Sequence, residues 1–202
     1  MFFYPGSIDI ILYPGIIIPM DTSSYTAFAG ERLVYSGAPE GTLRAVKGYM
    51  DRERNQGILI FNDETGEQVD FDFRGTEEEV LARAFPPAPK AGRGRPSLGV
   101  VCGEVSLLPR HWEWLKGQQN NASATLRRLV DDAIRNEPAS ARAKRAVAAA
   151  DREMWALAGN LPGCEEASRA LYARDFARFR EGIRDWPRDI RSHLTMLAGR
   201  AE

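Results

Sequence analysis

The sequence is poor in the residues on which metal centres and disulfide frameworks depend. Its 202 residues include two cysteines and two histidines. Cys102 and Cys164 have no CxxC spacing and no neighbouring histidine cluster, so the sequence indicates neither a zinc site nor a disulfide scaffold. We therefore expect a reducing, cytoplasmic setting, with no metal and no cofactor. His111 and His193 lie far apart in the sequence, and each is predicted to be an ordinary packed or surface histidine.

The sequence also lacks the motifs of the common enzyme classes. It contains no glycine-rich phosphate loop, no nucleophile elbow and no HExxH segment. His111 and Glu113 are close in sequence, but residues so close in a helix point in different directions and do not form an acid–base pair. The prediction is a protein that is not an enzyme.

The apolar start of the chain does not have the pattern of a membrane segment. Residues 1–19 lack the basic beginning of a signal peptide, and Pro5, Pro14 and Pro19 would break a membrane helix of this length. We expect no membrane partner. Residues 1–19 are predicted to be a disordered extension that arises from an over-long reading frame, with a hydrophobic anchor as the alternative.

The net charge of −1 conceals an uneven distribution. Residues 20–85 carry 7 Lys/Arg and 13 Asp/Glu, whereas residues 90–135 carry 8 Lys/Arg and 4 Asp/Glu. Because a basic segment attracts anions locally, the middle of the chain is predicted to meet an anionic partner.

An α+β fold is predicted, beginning with an acidic ββαββα domain over residues 20–85. Aromatic and β-branched residues on both sides of a Gly-Glu turn predict a first hairpin near residues 25–37. Leu43, Val46 and Met50 have helical spacing. A second hairpin follows, in which Asp70 and Asp72 alternate with apolar residues and are predicted to form a solvated face. Thr76 is predicted to cap the last helix.

Two further segments differ sharply in composition. Residues 86–98 are rich in proline, glycine and basic residues, which predicts a linker. Residues 137–202 show helical stripes and are predicted to be three helices, the second running through the segment "EEASRALYARDFARFREGIRDW". The apolar stripes are interpreted either as core or as a surface for a partner protein. If they form such a surface, its aromatic contacts would be Trp155, Phe176, Phe179 and Trp186.

Residues 99–136 are predicted to form a strand, a helix, a turn and a second helix. Val105 and Leu107 alternate as in a short strand, Pro109 suits the first turn of a helix, and Asn121 or Ser123 is predicted to cap the next helix. This order resembles the ribbon-helix-helix family of bacterial regulators, which read DNA with a β-ribbon.

That resemblance implies a homodimer, since one copy is too small to bury its apolar residues and leaves its strand edge open. Two copies pairing strand to strand would solve both problems. The predicted dimer core consists of Val105, Leu107, Trp112, Leu115, Leu126, Leu129 and Val130.

DNA contacts follow from the same resemblance. The amides at the start of the second helix would face phosphates, and Ser106 would contact a base edge. "GRGRP" resembles the core of an AT-hook, which would place Arg93 and Arg95 in a narrow minor groove. A basic interdomain linker is the other interpretation of this stretch. The predicted DNA-binding set is Lys90, Arg93, Arg95, Ser106, Arg110, Asn121, Ser123 and Arg127.

The blocks "RGRPSLGVV", "LLPRHWEWL" and "ASATLRRLVDDA" resemble an uncharacterised bacterial family, the domain-of-unknown-function family twenty-two thirty-nine. That resemblance supports the architecture and implies no activity. The leading hypothesis is a dimeric DNA-binding transcriptional regulator or nucleoid-associated protein. The alternative is a dimerisation or protein-interaction module that does not bind DNA, with a partner protein held by the C-terminal helices.

Overall fold

The computed structural model describes residues 24–53, 57–86 and 104–202. The predictions made for residues 1–19, for Lys90, Arg93 and Arg95, and for the linker beyond residue 86 lie outside this part of the chain.

A four-stranded antiparallel sheet forms the centre of the N-terminal region, with strand order β2-β1-β3-β4. Its strands are β1 (Tyr25–Ala29), β2 (Arg32–Gly37), β3 (Ile58–Asn62) and β4 (Glu67–Gln68). Both predicted hairpins are confirmed. The last strand has only two residues, although Val69, Phe71 and Phe73 beyond it still pack against the core and Asp70 and Asp72 stay exposed, as their alternation predicts.

Two helices complete the predicted ββαββα order, α1 (Pro39–Arg52) after the first hairpin and α2 (Glu77–Ala84) after the second. Leu43 and Val46 of α1 are buried, but the third buried apolar residue is Tyr49, whereas the predicted Met50 is exposed. Thr76 caps α2 as predicted, in a capping box with Glu79.

The rest of the described chain is helical. The helices are α3 (Pro109–Lys116), α4 (Ala122–Arg135), α5 (Ala139–Ala158), α6 (Cys164–Tyr172), α7 (Phe176–Gly182) and α8 (Arg188–Gly199). The prediction of one continuous helix through residues 165–186 is wrong. The chain breaks at Arg174, which has a φ of 57°, and the side chain of Asp175 then caps α7. Tyr172, which a continuous helix would place on the apolar stripe, is consequently exposed.

The sheet is packed on both faces, because β1 is buried along its whole length. Tyr25 and Ala27 pack with Val46 of α1 and Ile60 on one side. Phe28, which points to the opposite side, belongs to the apolar core of the C-terminal helices. The sheet and helices α5 to α8 thus share a core, while the domain boundaries drawn from the sequence stay predictions.

Within the described residues, no helix is both long and apolar enough to span a bilayer.

Candidate functional site

The two helices and the turn predicted within residues 99–136 are present, and they form a hairpin of α3 and α4. Pro109 occupies the first turn of α3 as predicted. The sequence left two candidates for the cap of α4, and the structure selects Asn121, whose side-chain oxygen accepts a hydrogen bond from the Ala124 amide at 2.8 Å. Leu115 and Thr125 are buried in the hairpin.

Most of the predicted dimer-core residues are uncovered in the single chain. Leu115 is buried, and Leu107 and Leu126 are half-buried. The remaining four are exposed, together with three apolar residues that the predicted core did not include. We call these seven residues the α3–α4 apolar surface: Val105, Leu108, Trp112, Trp114, Leu129, Val130 and Ile134.

Residues 104–108, the predicted ribbon strand, form no regular strand in the single chain. Leu108 has the extended dihedral angles of a strand residue, and its carbonyl accepts the first hydrogen bond of α3 from the His111 amide. The ribbon-helix-helix resemblance is therefore not shown. A two-stranded ribbon needs a second copy, so the pairing stays a prediction.

The charged residues of the hairpin differ in their pairing. Arg135 forms an ion pair with Asp132. Other cations of the hairpin are exposed and form no ion pair with any residue that the structure describes, namely Arg110, Lys116, Arg127 and Arg128. The predicted contacts Ser106 and Ser123 are also exposed.

Most of the C-terminal aromatic residues belong to the core and not to a surface for a partner protein. Phe179 and Trp186 are buried in the core, and the Trp186 indole donates a hydrogen bond to the Pro162 carbonyl at 3.0 Å. Phe176 packs against the same core, which leaves Trp155 as the exposed member of the predicted set. Phe176, Phe179 and Trp186 therefore stabilise the fold, and Trp155 alone of the four is exposed.

A second site, which the sequence analysis missed, lies where the sheet meets the helices. Asp63 directly follows β3, Glu153 is on α5, and His193 is on α8; their exposed fractions are 2%, 0% and 5%. One potential ligand atom from each side chain lies within 4.8 Å of the others. With Ser24 and Arg200, these residues form what we call the polar junction.

The polar junction is held by hydrogen bonds from three parts of the chain. His193 Nε2 lies 2.6 Å from Glu153 Oε2. Ser24 Oγ donates to Asp63 Oδ2 at 2.7 Å, and the Asp63 amide donates to the Ser24 carbonyl at 3.0 Å. Arg200 Nη1 donates to the Asp63 carbonyl at 2.7 Å. These bonds connect β3, α5 and α8.

Two carboxylate oxygens in the polar junction, Asp63 Oδ1 and Glu153 Oε1, have no hydrogen-bond partner within the described part of the chain. Burial raises the pKa of Glu153 above the ordinary carboxyl value, and the hydrogen bond with His193 offsets part of that rise. The ring of Phe28 meets the imidazole edge to face at 5.3 Å between centroids. The junction is thus a polar centre enclosed by apolar core.

The sequence did contain a signal for this site. Glu153 follows Ala150 by three residues, and His193 follows Ile190 by three, so both lie on the apolar stripe of their helix. A charged residue on such a stripe is buried with it and requires a polar partner. The position of Asp63 could not be inferred in this way, because it depends on how the sheet packs against the helices.

The chain matches the model of a known protein family. A family model described as "Uncharacterized protein conserved in bacteria (DUF2239)" matches residues 24–198. No curated protein and no solved structure matches the chain significantly.

Proposed function

Since the chain belongs to the DUF2239 family, with a fold in which seven large apolar side chains at and before α3 and α4 are exposed, we propose that the protein acts as a DNA-binding homodimer. The observation that carries the proposal is the α3–α4 apolar surface, of which Ile134 is 70% exposed and Val105 67% exposed.

A surface of this kind is costly to leave in water. Monomeric proteins expose scattered apolar side chains, but seven large ones within about thirty residues of sequence is a high local density, which favours a partner that covers part of them. On α4, Val130 and Ile134 are four residues apart and therefore lie on one side of the helix. A partner that covers this side removes both from water.

A second copy is the partner that suits this surface. Residues 104–108 precede α3 and pair with no strand among the described residues, so an identical segment in antiparallel orientation would supply backbone partners for them. A symmetric pair also covers the α4 residues of both copies at once.

DNA is proposed as the ligand of this dimer because of the cations in the same hairpin. Arg110, Lys116, Arg127 and Arg128 are exposed and form no ion pair with the described residues. A dimer carries two copies of each of these cations, and this higher density of positive charge favours binding to a polyanion such as DNA. Asn121 and the first turn of α4 would add amide donors for phosphate.

Dimerisation is tested with Ile134→Asp, a change at a side chain that the single chain barely buries. The wild-type chain is expected to sediment at twice its 22.5 kDa mass, and the variant as a folded monomer, because a carboxylate would be buried at the interface. The matched control is Met196→Asp on α8, an exposed apolar residue outside the surface, which should remain dimeric. A monomeric wild-type chain at micromolar concentration would refute the proposed dimer.

DNA binding is tested by fluorescence anisotropy with a duplex at 50 mM and 200 mM salt. About four to six phosphate contacts per dimer predict a roughly 150- to 2,000-fold loss of affinity between these concentrations. Arg127→Ala should flatten the slope of log affinity against log salt by about 1.8, since each dimer loses two contacts. Arg169→Ala on α6, an exposed arginine outside the hairpin, should leave the slope unchanged.

One observation favours the alternative, a dimer that does not bind DNA. The described part of the predicted ribbon, residues 104–108, contains no basic residue, and Glu104 would repel phosphates. If the chain sediments as a dimer while its affinity for duplex DNA is undetectable or insensitive to salt, the protein is a dimerisation module and the DNA proposal is wrong.

A further inference from the structure

We propose that Asp63, Glu153 and His193 form a binding site for a divalent transition-metal ion of the Zn²⁺ or Mn²⁺ class. The proposal is independent of the dimer and of DNA binding, because the three residues lie in the core and outside α3 and α4.

The first argument is the pair of carboxylate oxygens without partners. Buried polar atoms are hydrogen-bonded in nearly all native structures, and an orphaned carboxylate oxygen is among the most costly exceptions. Asp63 Oδ1 and Glu153 Oε1 are both buried, and neither has a hydrogen-bond partner among the residues that the structure describes. They belong to side chains whose ligand atoms lie within 4.8 Å of each other. A cation held by both side chains would compensate the two carboxyl groups to which these oxygens belong.

The second argument is charge. Two carboxylates in the polar junction face one arginine, and the Arg200 side chain is 39% exposed and directed mainly to other acceptors. Its Nη1 donates to the Asp63 carbonyl, and its Nη2 lies 3.3 Å from Ser24 Oγ but 3.6 Å from Asp63 Oδ2. His193 and Glu153 share one proton in the metal-free pair, and when that proton is displaced the two carboxylates carry one more negative charge than Arg200 compensates, which a divalent cation offsets.

The donor set selects the class of metal. One imidazole nitrogen with two carboxylates suits Zn²⁺, Mn²⁺ and similar first-row ions. Ca²⁺ takes six to eight oxygen ligands, which three enclosed side chains do not supply. The set has no thiolate, so it does not favour the soft ion Cu(I).

The separation of the ligand atoms is compatible with such an ion. Metal–ligand bonds of about 2.0–2.1 Å place neighbouring atoms of a tetrahedral site about 3.3–3.4 Å apart. The His193–Glu153 contact is shorter than this, at 2.6 Å, and the upper limit for the set is 4.8 Å. Binding would displace the proton between His193 and Glu153 and draw Asp63 inward, which requires side-chain movements of about 1 Å.

The position of the site indicates what a bound ion would do. The three ligands come from the loop after β3, from α5 and from α8, so the ion would tie the sheet to the helical layer. All three are enclosed in the core, so the role inferred is structural: binding energy would add directly to the free energy of unfolding.

The test uses the untagged full-length chain, freed of metal with a chelator and dialysed. Titration calorimetry with Zn²⁺ and, separately, with Mn²⁺ is expected to give one ion per chain. At 100 times the dissociation constant, the melting temperature should rise by roughly 5–10 °C. Ca²⁺ should have no such effect. Mn²⁺ is included because it binds thiolates poorly and so excludes a response from cysteine.

Variants identify the site. Asp63→Asn, Glu153→Gln and His193→Gln should each weaken binding at least tenfold, since each removes one ligand. The control is His111→Gln, which removes the exposed histidine of α3 and should bind as the wild type does. Binding at unchanged affinity in folded Asp63→Asn or Glu153→Gln protein would overturn the proposal.

A measurement on the wild-type chain covers the case in which these variants do not fold. With two histidines in the chain, ¹⁵N spectra of the imidazoles assign each response. Zn²⁺ is expected to shift the ring nitrogens of His193 and to leave those of His111 in place. A shift of His111 alone, or no binding of either ion at micromolar concentration, would show that the junction is a metal-free polar cluster.

Discussion

Replacing Gly66 by alanine is expected to lower the free energy of unfolding by about 2–5 kcal/mol. Gly66 lies in the turn between β3 and β4 with a φ of 69°, where a side chain is strained. A Cβ atom there would lie 2.3 Å from the carbonyl oxygen of Ala149 on α5. Because backbone atoms lie on both sides of this contact, the turn would have to move away from the helix.

Variants at two other glycines separate the cost of backbone strain from the cost of the steric clash with α5. Gly30 also has positive φ, at 58°, but a Cβ atom added there would have nothing within 4 Å, so Gly30→Ala should cost only the strain, about 1–2 kcal/mol. Gly48 lies inside α1 with open space around it, and Gly48→Ala should stabilise the protein by about 0.5–1 kcal/mol. Urea denaturation of the three variants measures their free energies of unfolding, which should be lowest for Gly66→Ala, higher for Gly30→Ala and highest for Gly48→Ala.

The comparison also tests whether the sheet and the helices unfold together. If they form one cooperative unit, Gly66→Ala shifts the tryptophan fluorescence and circular dichroism transitions equally, since every tryptophan lies in the helical part of the chain. Equal losses for Gly66→Ala and Gly30→Ala would mean that the turn does not press on α5, and the close packing described above would be wrong.

The hairpins, the caps and most helices could be predicted because their signals are local. The alternation in residues 69–73, the capping box at Thr76 and the proline at the start of α3 each act within a few residues. The break before α7 was missed although its cap is also local. Asp175 lies within a segment whose apolar residues keep helical spacing on both sides of it, so the pattern predicted one continuous helix.

The two candidate sites differ in the same way, since one depends on local sequence signals and the other on contacts between distant segments. Of the exposed apolar residues of α4, Leu129 and Val130 were predicted for the dimer core, because a lone hairpin is too small to cover them, whereas Ile134 was left out of that set. The polar junction joins residues as far apart as Asp63 and Arg200, and that contact depends on the docking of the sheet onto α8. No pattern within one segment specifies such docking, although Glu153 and His193 on their apolar stripes indicated that buried polar partners had to exist.

The second large effect is expected at the His193–Glu153 pair. His193→Leu removes the partner of a fully buried carboxyl group and should lower the free energy of unfolding by about 3–5 kcal/mol. Glu153→Met leaves a buried imidazole nitrogen without its partner and should cost about 1–3 kcal/mol. Both replacements are close in size to the original side chains, so neither leaves a large cavity.

The double variant, His193→Leu with Glu153→Met, is expected to be within about 1 kcal/mol of the wild type, because an apolar pair needs no partner. Denaturant unfolding of the four proteins gives a coupling free energy of about 3 kcal/mol or more. Additive losses would mean that the two side chains do not depend on each other, contrary to their 2.6 Å contact. The double variant also separates stability from metal binding: it should keep the fold and lose the melting-temperature response to Zn²⁺, because Asp63 alone cannot hold the ion.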